Sequence, residues 1–138
     1  MHTYEIFEHT ADIGVIARGK TIEEAFGNAA YGMFDIMIYA ERVEAVGKYR
    51  VRVKSPTLED LLVDFLSELL YVFSVEFFVM NRFQVKITRG EEYTLEAVCG
   101  GEPYNREKHR IKTEIKAVTY HELEVNEEEG YVKVLFDI

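Results

Sequence analysis

Seven residues near the start of the chain, Glu8-His9-Thr10-Ala11-Asp12-Ile13-Gly14, bring carboxylates, an imidazole and a hydroxyl together between segments that alternate like β-strands. Only Gly14 serves turn geometry, so His9 and Asp12 are candidates for chemistry. A second locus lies at the other end. There Tyr131 to Phe136 reads as a strand that delivers the Asp137 side chain and the α-carboxylate of Ile138 from an ordered element. If Asp12 folds back beside them, three carboxylates converge, and only a cation or protons can relieve the repulsion. Such an all-oxygen donor set suits Ca²⁺, Mg²⁺ or Mn²⁺, with water and a backbone carbonyl completing the shell. His9 would support the ligands through a hydrogen bond or, alternatively, ligate. Blander roles stay open on these residues alone: Asp12 as a turn cap, and Asp137 with Ile138 as a solvated end.

The length of 138 residues predicts one domain over 1–138, large enough for a hydrophobic core without disulfide or metal staples. A hydrophobic share of 48%, with nine Phe and nine Tyr, excludes a disordered chain. Cys99 is the only cysteine, which forbids an intramolecular disulfide, disfavours a thiolate zinc site and suits a reducing cytoplasm. No secretory signal opens the sequence, and Leu69 to Met80 is too short and too charged to span a bilayer. Net charge is −9, so a phosphate backbone would be repelled over most of the surface and direct nucleic-acid binding starts at a disadvantage.

Periodicity supplies the elements that must position these groups. His2 to Phe7 and Ile13 to Arg18 are predicted strands. Thr21 and Glu24 have capping-box spacing before a helix that should end near Ala40, with Ala25, Phe26, Ala29, Ala30, Met33 and Phe34 on its apolar stripe. Tyr49 to Lys54 alternates strictly, the pattern of a strand with one wet face. Thr57 caps a second helix whose broad Leu and Phe stripe predicts that it lies flat on a sheet. Strands follow from Phe77 onward and over Tyr93 to Cys99, Ile111 to Val118, Tyr120 to Val125 and Tyr131 to Phe136. The expected class is α+β, with two main helices on a mixed or antiparallel sheet in a two-layer arrangement.

Glu8 to Gly14, Gly101-Glu102, Lys108-His109-Arg110, the run Glu114 to His121 and the terminal Phe136-Asp137-Ile138 occur in one order along essentially the whole chain. Together they resemble the archease family. The resemblance implies an archease-like fold and a protein cofactor rather than an enzyme. Its partner would be the RNA-splicing ligase that joins a 2′,3′-cyclic phosphate or 3′-phosphate end to a 5′-hydroxyl end, chiefly in tRNA maturation. It further implies promotion of guanylylation of the ligase histidine, multiple turnover and broader nucleotide use. The family's metal site corresponds to Asp12, Asp137 and Ile138, with Ca²⁺ as the expected bound ion and Mg²⁺ or Mn²⁺ as alternatives. Lys116 matches a functional lysine, and His9 has a supporting role. Asn105 departs from the pattern, which favours an acidic residue, so no role falls on that loop. His109 and His121 are expected to be structural or surface residues, and Cys99 a small buried hydrophobe.

On this reading an acidic tip formed by Asp12 and the carboxy-terminal residues inserts toward the ligase's nucleotide pocket. RNA is met only through the ligase, no membrane is involved, and the location is cytoplasmic. Two readings from other classes are a chaperone-like adaptor for RNA-modifying enzymes and a free-standing metal-dependent hydrolase using Asp12, Asp137 and His9. The hydrolase lacks an obvious nucleophile or phosphate-cradling Gly loop.

Overall fold

The computed structural model describes residues 2–9 and 11–138, apart from the His9 side chain. Strands β1 (Tyr4–His9) and β2 (Asp12–Arg18) precede helix α1 (Ile22–Met37), strand β3 (Gly47–Ser55) and helix α2 (Leu58–Tyr71). Strands β4 (Phe78–Arg89) and β5 (Tyr93–Pro103), the short helix α3 (Arg106–His109), and strands β6 (Ala117–Asn126) and β7 (Tyr131–Asp137) complete the chain. The strands form two sheets, β1-β2-β7-β6 and β3-β5-β4, and every pairing is antiparallel.

Both helix starts form as their residue types dictate. The Thr21 hydroxyl accepts from the Glu24 N–H at 3.1 Å, and the Thr57 hydroxyl accepts from the Asp60 N–H at 3.0 Å. Each such cap contributes about 1 kcal/mol. The Glu24 carboxylate reaches back to the Lys20 N–H rather than to that of Thr21, so the reciprocal half of the capping box is displaced by one residue. Helix α1 stops at Met37, short of Ala40, because Ile38 turns extended and bridges Ile111. Helix α2 unwinds through a π-turn over Val72–Glu76 and ends on Phe77 in the left-handed region, at φ 54°.

The α+β class and its two main helices are observed, and the layering is richer than one sheet under two helices. Helix α1 packs against β4 of one sheet and β2 of the other, while α2 packs against β3 and β6. Glycines mark the two contact faces of α1: a Cβ on Gly27 would sit 3.3 Å from the Phe83 carbonyl oxygen, and one on Gly32 would sit 3.2 Å from Val15. The helices are therefore covered on both sides, and Phe26, Phe34, Phe65, Met33 and Leu66 are fully buried between the sheets. Each such side chain contributes roughly 1.5–3 kcal/mol through burial.

The strand predicted over Ile111 to Val118 is corrected by the structure. Only Ile111 makes an isolated bridge, β6 begins at Ala117, and residues 112–116 run as a strap across the end of α1. Lys112 N–H donates to the Met37 carbonyl at 2.8 Å, and Lys116 N–H donates to the Asp137 carbonyl at 2.7 Å. The alternation is genuine, since Ile115 is buried, but no neighbouring strand lies in register to complete a ladder. The segment beginning at Tyr120 joins this strand across an irregularity between Thr119 and Glu124.

Cys99 is fully buried, and desolvation pushes its thiol up to about 12. Its labelling by a thiol reagent in native buffer is expected to proceed only as fast as the protein opens. Rapid stoichiometric labelling without denaturant would contradict that burial.

Candidate metal centre at the hairpin tip

The Glu8 to Gly14 segment is the tip of a tight hairpin. The backbone of His9 pairs with that of Asp12, so only residues 10 and 11 lie between them, and Ala11 takes φ 62° to close the turn. On its other edge β2 pairs with β7, and Asp12 stands directly opposite Asp137. Residues opposite each other in an antiparallel ladder project their side chains from the same face with Cβ atoms about 4.5–5.5 Å apart. Two carboxylates so placed repel. Neither has a hydrogen-bond or ion-pair partner among the described residues. Asp12 is half-buried, while Asp137 and Ile138 are exposed.

Lys116 belongs to the same corner through its backbone, whose N–H donates to the Asp137 carbonyl. Its exposed side chain lines a groove of about 500 Å³ together with Met37, Phe73, Phe77, Tyr104 and Ile111. The His9 side chain lies outside the described residues. Two rows along the ladder, on the same face, a Cβ on Gly14 would come within 2.4 Å of the Phe7 ring, so this position needs glycine for the ring to lie across the strands.

Among the described residues no three His, Cys, Asp or Glu side chains gather in metal-binding geometry. The chemistry of the paired donors still fits a hard divalent cation: two carboxylates on one face, open to water.

A second polar constellation escaped the residue-by-residue reading. His109 is fully buried, its Nδ1 accepts from the Asn105 N–H at 2.8 Å, and its Nε2 faces the Glu102 carboxylate at 2.8 Å. Accepting at Nδ1 fixes the proton on Nε2 and directs it to Glu102. Lys108 Nζ bridges Glu102 and Glu44, and the Glu44 N–H donates to Glu102 at 2.8 Å. Burial would raise the Glu102 carboxyl, but hydrogen bonds from Lys108, the Glu44 backbone and His109 outweigh it and hold the group at about 2. Asn105, to which no role was attached, caps α3 through its Oδ1 with the N–H groups of Glu107 and Lys108, each at 3.0 Å. All these polar atoms are engaged with one another, so the cluster is a clamp holding α3 to β5. The nearness of Gly101-Glu102 to Lys108-His109 in sequence was the available signal.

The profile of the Archease protein family matches residues 4–138. A protein archease of Methanosarcina mazei is 50% identical over 129 residues, covering 92% of this chain and 88% of its own length. That of Pyrococcus furiosus is 40% identical over 126 residues, covering 91% and 89% respectively. The solution structure of protein 1598 from Methanobacterium thermoautotrophicum superposes with a TM-score of 0.84 at 35% identity, covering 100% of both chains. A Thermotoga maritima structure described as an archease and possible chaperone shares the fold at TM-score 0.50 and 23% identity, covering 100% of this chain and 99% of that one. Sequence and fold thus agree along the same stretch that carries the paired aspartates, and the chain belongs to the archease family.

Proposed function

We propose that this protein activates a tRNA-splicing RNA ligase as a non-catalytic cofactor, offering a divalent metal at the tip formed by Asp12, Asp137 and the Ile138 carboxylate. The single observation carrying this reading is the pairing of Asp12 with Asp137 across β2 and β7, two like charges that remain without a counter-charge among the described residues. A fold that accepts such repulsion is built for a ligand that relieves it. When bound, the cation would supply positive charge to organise a nucleotide triphosphate for attack by the ligase histidine. The residues of this chain hold and aim. Asp12 and Asp137 present oxygens from adjacent strands, the hairpin turn makes the tip narrow, and Lys116 stands beside it to meet a phosphate or an acidic side chain of the partner. His9, paired with Asp12 along the backbone, would support the ligand set.

The test is reconstitution with the ligase, RNA ends, GTP and Mn²⁺. Stimulation of histidine guanylylation and of multiple-turnover joining is expected on adding this protein, in proportion to its concentration. Identical guanylylation with and without it would end the proposal.

One observation favours a second reading as a chaperone-like adaptor. Phe77 and Ile111, 61% and 59% exposed, rim the apolar groove beside Lys116. That reading expects help for many unrelated clients, whereas the ligase reading expects help for one.

A further inference from the structure

The net charge of −9 conceals a segregation of charge that the fold creates. The three-stranded sheet turns one face toward the helices, where Val51, Leu95 and Ala97 are buried, and the other toward solvent. On the outer face the register aligns Lys48, Gly100 and Arg82 in one row, then Arg50, Val98 and Gln84, then Arg52, Glu96 and Lys86, then Lys54, Thr94 and Thr88. Within these four rows six exposed cations share the face with one carboxylate, Glu96, and the remainder of the molecule is correspondingly more acidic. None of the six takes part in an ion pair among the described residues. Carboxylates bound the face at both ends, Glu91 and Glu92 at the β4–β5 turn and, beyond the Gly100 row, Glu102 with Glu44, where Glu102 is engaged by Lys108.

Cations two residues apart on a strand are about 6.7 Å apart, and neighbouring strands are about 4.8 Å apart, so the charges repel one another across the whole face. A polyanion relieves that repulsion. The middle of the face is a shallow trough of about 590 Å³ lined by Arg50, Arg52, Gln84, Lys86, Glu96 and Val98. Arg, Lys, Gln and Thr are phosphate-contacting side chains. The face carries no aromatic residue, so it lacks the stacking platform on which single-stranded bases are held. It presents strands and no helix to enter the major groove of B-DNA, whereas the minor groove of an A-form helix is wide and shallow.

We infer that the outer face of β3-β5-β4 binds the backbone of a double-stranded RNA stem, independently of base sequence. This amends the expectation that RNA is met only through the ligase, because net charge is a sum and says nothing of position. The site does not depend on the ligase reading, since binding is measured with this protein alone.

The experiment titrates a fluorescein-labelled RNA hairpin stem with the full chain and follows anisotropy across a salt series. Wild type is expected to bind at low salt with a log–log salt slope of about −3, the signature of a few neutralised phosphates. The triple variant Arg50→Gln, Arg52→Gln, Lys86→Gln, all at exposed positions, should bind at least about tenfold more weakly and lose most of that slope, roughly one unit per cation. A control variant, Lys20→Gln with Arg106→Gln, should bind as wild type does, and Arg52→Gln alone should fall between. Three outcomes would overturn the inference: no salt-dependent binding by wild type, a triple variant that binds as wild type, or a poly-glutamate peptide, DNA duplex or oligouridine binding the face more tightly than the stem.

Discussion

Asp12→Ala and Asp137→Ala are each expected to abolish the proposed stimulation of the ligase, yet to leave the metal-free protein at least as stable as wild type. The sign of the stability effect follows from the ladder. Two carboxylates directly opposite each other repel, so deleting either charge should relieve about 0.2–1 kcal/mol rather than remove a favourable contact. A bound cation reverses the ranking. With a divalent ion at about a hundred times its Kd, wild type gains about 2.7 kcal/mol, several degrees of Tm, and the variants gain little. Thermal unfolding with and without Ca²⁺ or Mn²⁺, beside a turnover assay, reads both effects. Undiminished multiple-turnover ligation by either Ala variant would sink the assignment of the tip.

The second large effect is at the buried clamp. Glu102→Gln should destabilise the protein by about 2 kcal/mol, because the amide cannot accept as strongly from Lys108 and the Glu44 N–H while also receiving the proton on His109 Nε2. The pH dependence identifies the cause. A carboxyl held at about 2 in the folded state, below its ordinary range, contributes stability that is complete above its unfolded pKa and disappears as pH falls through the folded one. The difference in stability between wild type and Glu102→Gln should therefore be constant near neutrality and shrink from about pH 4.5 downward. A difference unchanged from pH 7 to pH 2 would show that the side chain acts through packing instead. Ligase stimulation by the folded variant should persist, since the clamp touches neither aspartate.

Local patterns were legible where neighbours in sequence decide the structure. Thr21 and Thr57 announced both main helix starts because a cap and its acceptor lie three residues apart. The strict alternation from Tyr49 to Lys54 likewise declared a strand with one wet face, and that wet face is the basic one. The same kind of signal misled at Ile111 to Val118. Alternation records which side chains face the core but does not supply a partner strand, and residues 112–116 have none. The apolar stripe of helix α1 announced one packed face, and the contacts at Gly27 and Gly32 show that sheets close on both sides of it.

The sequence by itself determined the α+β class, the caps, the isolated buried thiol and the residue types on which the metal hypothesis rests. Tertiary structure decided which of those residues meet. Asp12 and Asp137 lie at opposite ends of the chain, and only the register of β2 against β7 sets them side by side; a shift of one residue would send one carboxylate to the other face of the sheet. Register also gathered six cations onto one face of an acidic protein and folded Glu102 over His109. Pairing between distant strands is chosen by the packing of the whole core, a collective property that no window of neighbouring residues contains.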